Sequence, residues 1–274
     1  MRDRYAVFGN PVGHSKSPAI HQAFAVQCHQ QISYRAILTP RDGFAASVRG
    51  FVAAGGRGAN VTLPFKEEAW RLATRLSVRA ELAGAVNTLL FAGAETLGDN
   101  TDGAGLLRDL TCNLACRVAG QRVLLLGAGG AARGVVAPLL DARPALLWIA
   151  NRTAARASDL AQRFAGRGAL AGGAYQELEG EAFDLVINAT SASLAGELPP
   201  LPAGAFASGS MAYDMMYGQG ETPFLAYARE HGAARLADGL GMLVEQAAEA
   251  FYLWRGVRPN SAPVVAMLRG TERG

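Results

Sequence analysis

The chain has 274 residues, with 26 Lys plus Arg against 23 Asp plus Glu, so its formal net charge is +3. So small an excess cannot make the broad basic surface that a nucleic-acid backbone requires, and no run of five or more Lys or Arg occurs, so nucleic acid is not an expected partner. Half of the residues are apolar and 18% are charged, which fills cores and argues against extensive disorder; every apolar stretch is cut by charge, Gly or Pro short of the ~18–20 residues of a membrane span.

The opening Met1-Arg2-Asp3-Arg4 and the short run Tyr5–Phe8 lack the apolar core and cleavage site of a signal peptide, so the expected location is cytoplasmic. Cys28, Cys112 and Cys116 are an odd number in a sizeable chain, which fits reduced thiols rather than a disulfide framework. Neither the Cys112/Cys116 pair nor His14, His21 and His29 has the spacing of a zinc site, so no metal is expected. Length suggests two domains.

Arg4–Phe8 reads as an apolar strand entering the turn Gly9-Asn10-Pro11. Ser17-Pro18 then has the form of an N-cap and a first-turn proline, so a helix is expected from about Pro18 to Cys28. A strand at Tyr34–Leu38, a helix over Phe44–Ala54, a strand at Ala59–Leu63 and a helix over Phe65–Leu76 follow. The polar, Gly-rich stretch Gly98–Gly103 suits a connection between domains. Beyond it come strand Arg122–Leu126, the turn Gly127–Gly130, helix Ala131–Leu140, strand Ala145–Ala150 and helix Ala154–Phe164. Strands Phe183–Asn188 and Met211–Met216 and helix Pro223–His231 complete a β-α alternation that predicts a parallel, doubly wound α/β sheet.

In the last long helix, Leu240, Leu243, Val244, Ala247, Ala248, Phe251 and Trp254 recur at the period of a buried face, and Gln246 falls among the apolar positions. A buried amide needs partners, supplied either by backbone or water or by a hydroxylated ligand; spacing leaves both readings open.

Gly127-Ala128-Gly129-Gly130-Ala131-Ala132 has the G-x-G-x-x-G/A form between a strand and a helix, where amides and the helix dipole hold a pyrophosphate. The second strand of this unit runs into Asn151-Arg152-Thr153, without the acid that would bind the ribose 2′-hydroxyl of NAD. Arg152 and Arg156 are either solvated residues at a helix start or two guanidinium groups for a 2′-phosphate; the missing acid favours the second and so indicates NADP.

Ser15 and Ser17 flank Lys16 at a helix start, where free amides and hydroxyls suit a substrate carboxylate, although Ser17 is also a plausible plain N-cap. Asn60 and Thr62 share one side of a strand, and Lys66 follows Pro64 at its carboxyl end. A lone lysine is by default a solvated charge. With Asn87 and Asp102 in polar turns, however, Lys66 would complete a cluster holding hydroxyl ligands, a proton donor and a carboxylate; spacing alone does not show that they converge.

Gly9-Asn10-Pro11, His14–Pro18, Gly58–Lys66, Gly84–Thr88, Gly98–Gly103, Gly127–Ala132, Asn151–Thr153, Asn188–Ser191, Tyr213–Met215, Thr222–Phe224 and Asp238–Met242 together resemble the shikimate dehydrogenase family, in order and along the whole chain. The resemblance implies reversible NADPH-dependent reduction of 3-dehydroshikimate to shikimate, a step of aromatic amino-acid biosynthesis. It implies a substrate domain at 1–101 with 240–274, to which the last helices return, an NADP-binding Rossmann-like domain at 102–239, and a cleft that closes over the ligands. It assigns the carboxylate to Ser15 and Ser17, and substrate hydroxyls to Asn60, Thr62, Asn87, Asp102 and Gln246. Tyr217 stands near the substrate, Lys66 and Asp102 form the catalytic pair, and Met215 and Gly239 join the cofactor residues Gly127, Ala128, Gly129, Gly130, Ala131, Asn151, Arg152, Thr153 and Arg156. The partners so implied are small molecules alone, in a monomer or homodimer.

Where this chain reads Thr190-Ser191-Ala192-Ser193-Leu194, it departs from the glycine many relatives carry, so that loop receives no site assignment. One alternative is a quinate/shikimate dehydrogenase of dual cofactor use, which needs an acid where Arg152 stands. Another is a non-catalytic sensor of sugar acid or dinucleotide, which would tolerate losing Lys66 or Asp102.

Overall fold

The computed structural model describes residues 2–190, 198–218 and 220–271. The chain forms two compact units, Met1–Gly105 with Leu243–Gly274, and Leu106–Met242.

The first unit is built on a six-stranded mixed sheet of order β2-β1-β3-β5-β6-β4. Its strands are β1 (Asp3–Gly9), β2 (Ile32–Leu38), β3 (Gly56–Val61), β4 (Arg75–Leu76), β5 (Thr88–Ala92) and β6 (Glu95–Asp99), and its first helices are α1 (Ser17–Gln27), α2 (Phe44–Ala53), α3 (Lys66–Leu72) and α4 (Val78–Ala83). β1 runs parallel to β2 and β3, whereas β5 is antiparallel to β3 and forms a hairpin with β6. Helix α2 buries Phe44, Val48 and Phe51, one face at helical spacing. Phe8 of β1 meets Phe44 and Phe51 edge-on, at ring-centroid distances of 6.0 and 5.7 Å.

Two local expectations change here. The helix expected to reach Leu76 stops at Leu72, because Ala73 turns extended and Thr74 to Leu76 pair with the β6 side of the sheet instead. Strand pairing outweighs the local helical pattern. The polar stretch read as an interdomain connection is not solvated: Asp99 ends β6, Asp102 opens α5 (Asp102–Arg108), and Asp99, Asn100, Thr101 and Asp102 are all buried. Their polar atoms are satisfied internally, Asp99 by Arg79 at 2.7 and 2.5 Å and by Ser77 at 2.5 Å, and the Asn100 amide by the Ala85 carbonyl at 3.0 Å.

The second unit holds an all-parallel sheet of order β12-β11-β10-β7-β8-β9, with β7 (Arg122–Leu126), β8 (Leu146–Ala150), β9 (Leu170–Gly173), β10 (Phe183–Asn188), β11 (Phe206–Asp214) and β12 (Arg235–Asp238). Helices α6 (Gly130–Asp141), α7 (Ala154–Arg163) and α8 (Pro223–Glu230) belong to it. Val123 to Leu126 are completely buried, the uninterrupted apolar run of a strand covered on both faces. The chain builds outward from β7 through β8 to β9, then returns to place β10 on the other side of β7. That reversal puts a ligand crevice at the carboxyl ends of β7 and β10.

Helix α9 (Leu240–Arg255) and α10 (Ala262–Thr271) end the described chain. From Leu243 onward they belong to the first unit, so the apolar stripe finds its surface there: Trp254 donates its indole N–H to the Leu89 carbonyl at 3.0 Å and stacks on Tyr5 at 4.7 Å, while Phe251 packs against Phe24. The buried polar residue of α9 is Glu245, bonded to the Ser261 hydroxyl at 2.5 Å; Gln246 is only half-buried.

Candidate active site

The carboxyl ends of β1 and β3 and the starts of α3 and α5 carry the polar side chains of the first unit. Lys66 is the first residue of α3 and Asp102 the first of α5. Across 36 residues of sequence the fold brings Lys66 Nζ to 2.6 Å from Asp102 Oδ2, with the two side chains 21% and 10% exposed. A pair so placed is shielded enough for a strong charge-assisted hydrogen bond and open enough to be reached by a ligand.

Asn87 precedes β5 and donates its amide to Asp102 Oδ1 at 2.7 Å. The Gln246 carbonyl oxygen stands 3.3 Å from the same amide and 3.4 Å from the Thr101 hydroxyl, while its own N–H goes to the Leu243 carbonyl at 2.8 Å. Both readings of Gln246 thus meet in one residue, with a backbone partner on one side and a polar cluster on the other. Lys66, Asn87, Asp102 and Gln246 converge, and Thr101, which the sequence did not single out, joins them.

Ser17 opens α1 rather than capping it: Lys16 occupies the cap position with helical backbone angles, and no side chain caps the helix. The Ser17 amide points to the Ser15 hydroxyl at 3.3 Å, and the Ser17 side chain hydrogen-bonds Tyr34. Ser15 is half-buried and Ser17 buried. Thr62 lies one residue past β3, half-buried, its N–H held by the Phe8 carbonyl at 2.9 Å. Tyr217, also half-buried, follows β11 in the second unit.

Asn60, expected to bind a substrate hydroxyl, is 5% exposed and engaged inward. Its oxygen takes the Tyr34 hydroxyl at 2.7 Å and His21 Nε2 at 3.1 Å; its amide lies 3.3 Å from the Asn87 carbonyl and 3.2 Å from the Thr88 hydroxyl. No amide atom is left over for a ligand. Burial presses the His21 pKa down to about 3, only partly offset by the bond to Asn60, and raises that of Tyr34 well above its ordinary value.

In the second unit Gly127 follows β7 with φ +102°, a left-handed conformation that glycine adopts freely. Gly129 stands at the α6 cap position with no side-chain cap, and nothing lies within 4 Å of where a Cβ would project from it. The first turn of α6, from Gly129 through Gly130 and Ala131, thus offers uncapped amides beside open space. With Ala128 leading into it, this fits a pyrophosphate. Asn151 follows β8 and folds its amide onto the Thr153 carbonyl at 3.0 Å, and Arg152, Thr153 and Arg156 are exposed. Neither guanidinium makes a hydrogen bond or ion pair among the described residues, so both fit an incoming phosphate.

At the other strand ends, the Asp214 carboxylate receives the Thr222 hydroxyl at 2.6 Å, the Asn188 amide at 3.1 Å and the Met216 N–H at 3.0 Å. This fixes the turn that carries Met215. A Cβ at Gly239 would come 2.2 Å from the Met215 carbonyl, so only glycine lets these two segments approach. Of the loop Thr190–Leu194, Ser191 to Leu194 lie outside the described residues.

Three family models match the chain in succession: the shikimate dehydrogenase substrate-binding domain over residues 7–89, shikimate/quinate 5-dehydrogenase over 110–195, and the shikimate 5′-dehydrogenase C-terminal domain over 239–268. The NADP(+) shikimate dehydrogenase of Dechloromonas aromatica is 66% identical, across 98% of each chain. The chain belongs to the shikimate dehydrogenase family. A second relative so named, from Nitrosospira multiformis, is 61% identical over 99% of this chain and 98% of its own. Among solved structures, an Ael1 enzyme from Pseudomonas putida superposes with a TM-score of 0.91 at 52% identity, covering 97% of this chain and 98% of that one. The shikimate 5-dehydrogenase of Thermus thermophilus, in complex with NADP(H) and shikimate, gives a TM-score of 0.86 at 34% identity over 97% and 98%. The shikimate dehydrogenase fold therefore accounts for both sheets and for the return of the final helices.

Proposed function

We propose that this chain is a cytoplasmic, NADP-dependent oxidoreductase that interconverts 3-dehydroshikimate and shikimate, on the route through chorismate to the aromatic amino acids, acting as a monomer or homodimer. The observation that carries the reading is the Lys66–Asp102 pair, 2.6 Å apart, with the Asn87 amide on Asp102 and Gln246 on that amide. Relatives at 66% and 61% identity carry the same activity in their names.

The nicotinamide, when bound, supplies hydride to the carbonyl carbon. Negative charge then grows on the carbonyl oxygen, and Lys66 stabilises it and delivers the proton. An ammonium held against the Asp102 carboxylate is suited to that task. Asp102 holds the ammonium in place and accepts from the substrate's hydroxyls. In the oxidising direction Lys66 takes the proton back as a neutral amine. Ser15 and Ser17 bind the carboxylate, and Thr62, Asn87, Gln246 and Tyr217 the ring substituents. Gly127 to Ala131 hold the pyrophosphate, and Asn151, Arg152, Thr153 and Arg156 the adenosine 2′-phosphate end; Met215 and Gly239 complete the cofactor site.

The test is spectrophotometric: NADPH formation with shikimate and NADP, with NAD and with quinate as alternatives. Turnover that prefers shikimate and NADP supports the reading. Preference for NAD or quinate supports the dual-use alternative, and binding without turnover a sensor.

A further inference from the structure

The protons that link His21 and Tyr34 to Asp102 through Asn60, Thr88 and Asn87 follow from donor and acceptor types. The Asn60 oxygen only accepts, so both Tyr34 Oη and His21 Nε2 donate to it, which makes His21 the neutral Nε2–H tautomer; its Nδ1 is buried without a hydrogen-bond partner. The Asn60 amide nitrogen only donates, so the Thr88 hydroxyl accepts from it at 3.2 Å. Thr88 then has its single proton left to give, and Asn87 Oδ1 at 2.9 Å is a nearer acceptor than the Thr101 hydroxyl at 3.4 Å. The Thr101 N–H reaches the same oxygen at 2.9 Å. With its oxygen held from two sides, the Asn87 side chain must turn its N–H groups toward Asp102 Oδ1, 2.7 Å away. Asp102 Oδ2 remains for Lys66 at 2.6 Å.

We infer that Asn60 and Thr88 are positioning residues: a one-way hydrogen-bond chain, begun by His21 and Tyr34 and passed through Asn60 and Thr88, fixes the Asn87 amide on Asp102 and so orients Asp102 toward Lys66. Every residue in it lies within 1–105 of the first unit. Tyr34 is also the hydrogen-bonding neighbour of Ser17, so the same anchor supports both the carboxylate end and the proton-transfer end of the site. Stacking of Tyr34 on His21, 4.4 Å between centroids and 10° from parallel, holds the two donors over Asn60. The sense of the chain matters because a reversed Asn87 amide would aim a carbonyl oxygen at a carboxylate. This role rests on the proposed reaction, and it gives Asn60 a structural reason for being polar without touching substrate.

The test is Thr88→Val against Thr88→Ser, the first removing the hydroxyl and the second keeping it. Two readouts are compared: steady-state kcat and KM for shikimate and NADP, and the [ε-13C]lysine NMR spectrum of the free protein. The spectrum is simple because the chain holds only Lys16 and Lys66, and Lys66→Ala assigns the peaks. Thr88→Val lowers kcat about three- to tenfold, the worth of one buried hydrogen bond, leaves the KM for NADP unchanged and displaces the Lys66 resonance but not that of Lys16. Thr88→Ser returns both readouts toward wild type. If Thr88→Val does not fold, Asn60→Asp carries the same expectations, since a carboxylate of the same shape draws the Thr88 proton away from Asn87. The inference is overturned by a folded variant whose kcat and Lys66 resonance both stay put, by a fall in kcat without displacement of that resonance, or by Thr88→Ser failing as Thr88→Val does. A wild-type protein without shikimate turnover refutes the proposed reaction, and the lysine spectra then still decide the orientation of the pair.

Discussion

Ser15 and Ser17 show how one residue type serves two ends of a problem. A serine beside a helix start is ordinarily a cap, yet Ser17 opens α1 rather than capping it, and the Ser15 hydroxyl, which accepts from the Ser17 N–H at 3.3 Å, still has its proton to give. If they bind the substrate carboxylate, replacing both by Ala removes two hydrogen bonds to a charged group, and the KM for shikimate rises by about a hundredfold or more while the KM for NADP barely moves. Steady-state kinetics with each substrate varied in turn measures this, and an unchanged shikimate KM removes the serines from the site. The start of α1 was legible in the sequence because helix-start chemistry is local, but the reading of Ser17 as its N-cap was not met, since Lys16 holds that position. Asn60 was legible only in part: its place on the strand could be read, but not that His21, Tyr34 and Thr88 enclose its amide, since those partners come from α1, β2 and β5.

Elements with strong local signals appear where the sequence put them: β7, α6, β8 and β10 within a residue or two, because an uninterrupted apolar run or a Gly-rich turn is written in adjacent residues. β9 and β12 were not, being four residues each and held by pairing with β8 and β11. The β5–β6 hairpin and α4 were likewise missed; the polar turn before α5 does lie next to the boundary of the two units after Gly105, but its burial was not legible, because polarity reads as exposure until its partners are known. The junction of β8 and α7 gives a sharp test. With Arg152 exposed and without an ion pair among the described residues, Arg152→Asp puts a carboxylate where a 2′-phosphate would sit, and the KM for NADP rises about ten- to a hundredfold. The NADP/NAD ratio of kcat/KM narrows accordingly; an unmoved ratio places the phosphate elsewhere. Helix α9 supplies a test of packing. Trp254→Ala empties a buried site against Tyr5 and removes the indole hydrogen bond to the Leu89 carbonyl, a loss of about 3–5 kcal/mol that thermal melting detects.

At the scale of the molecule, the proposed substrate ligands other than Tyr217 lie in the first unit and all the proposed cofactor ligands lie in the second. The stability of the molecule should depend on pH through His21, whose folded-state pKa of about 3 lies below its ordinary 6.5. Above pH 6.5 the residue is neutral whether folded or unfolded and contributes no pH dependence. Between 6.5 and about 3 the unfolded chain binds a proton that the folded chain refuses, so stability falls as the pH falls, by about 1.4 kcal/mol per pH unit. Denaturant titrations of wild type and His21→Gln from pH 7 to 4 measure the slope; the glutamine variant, which can still donate to Asn60, should lose this part of it. An equal slope in both would assign the acid sensitivity to other groups.

The central claim is that Lys66 provides the proton that completes hydride reduction of 3-dehydroshikimate. It is tested most directly by following NADPH consumption with 3-dehydroshikimate in wild type and Lys66→Ala, with a melting curve to show that both are folded. In Lys66→Ala kcat falls by ~10²–10⁴ with a smaller change in KM. A folded Lys66→Ala enzyme that consumes NADPH at a near-wild-type kcat would contradict it.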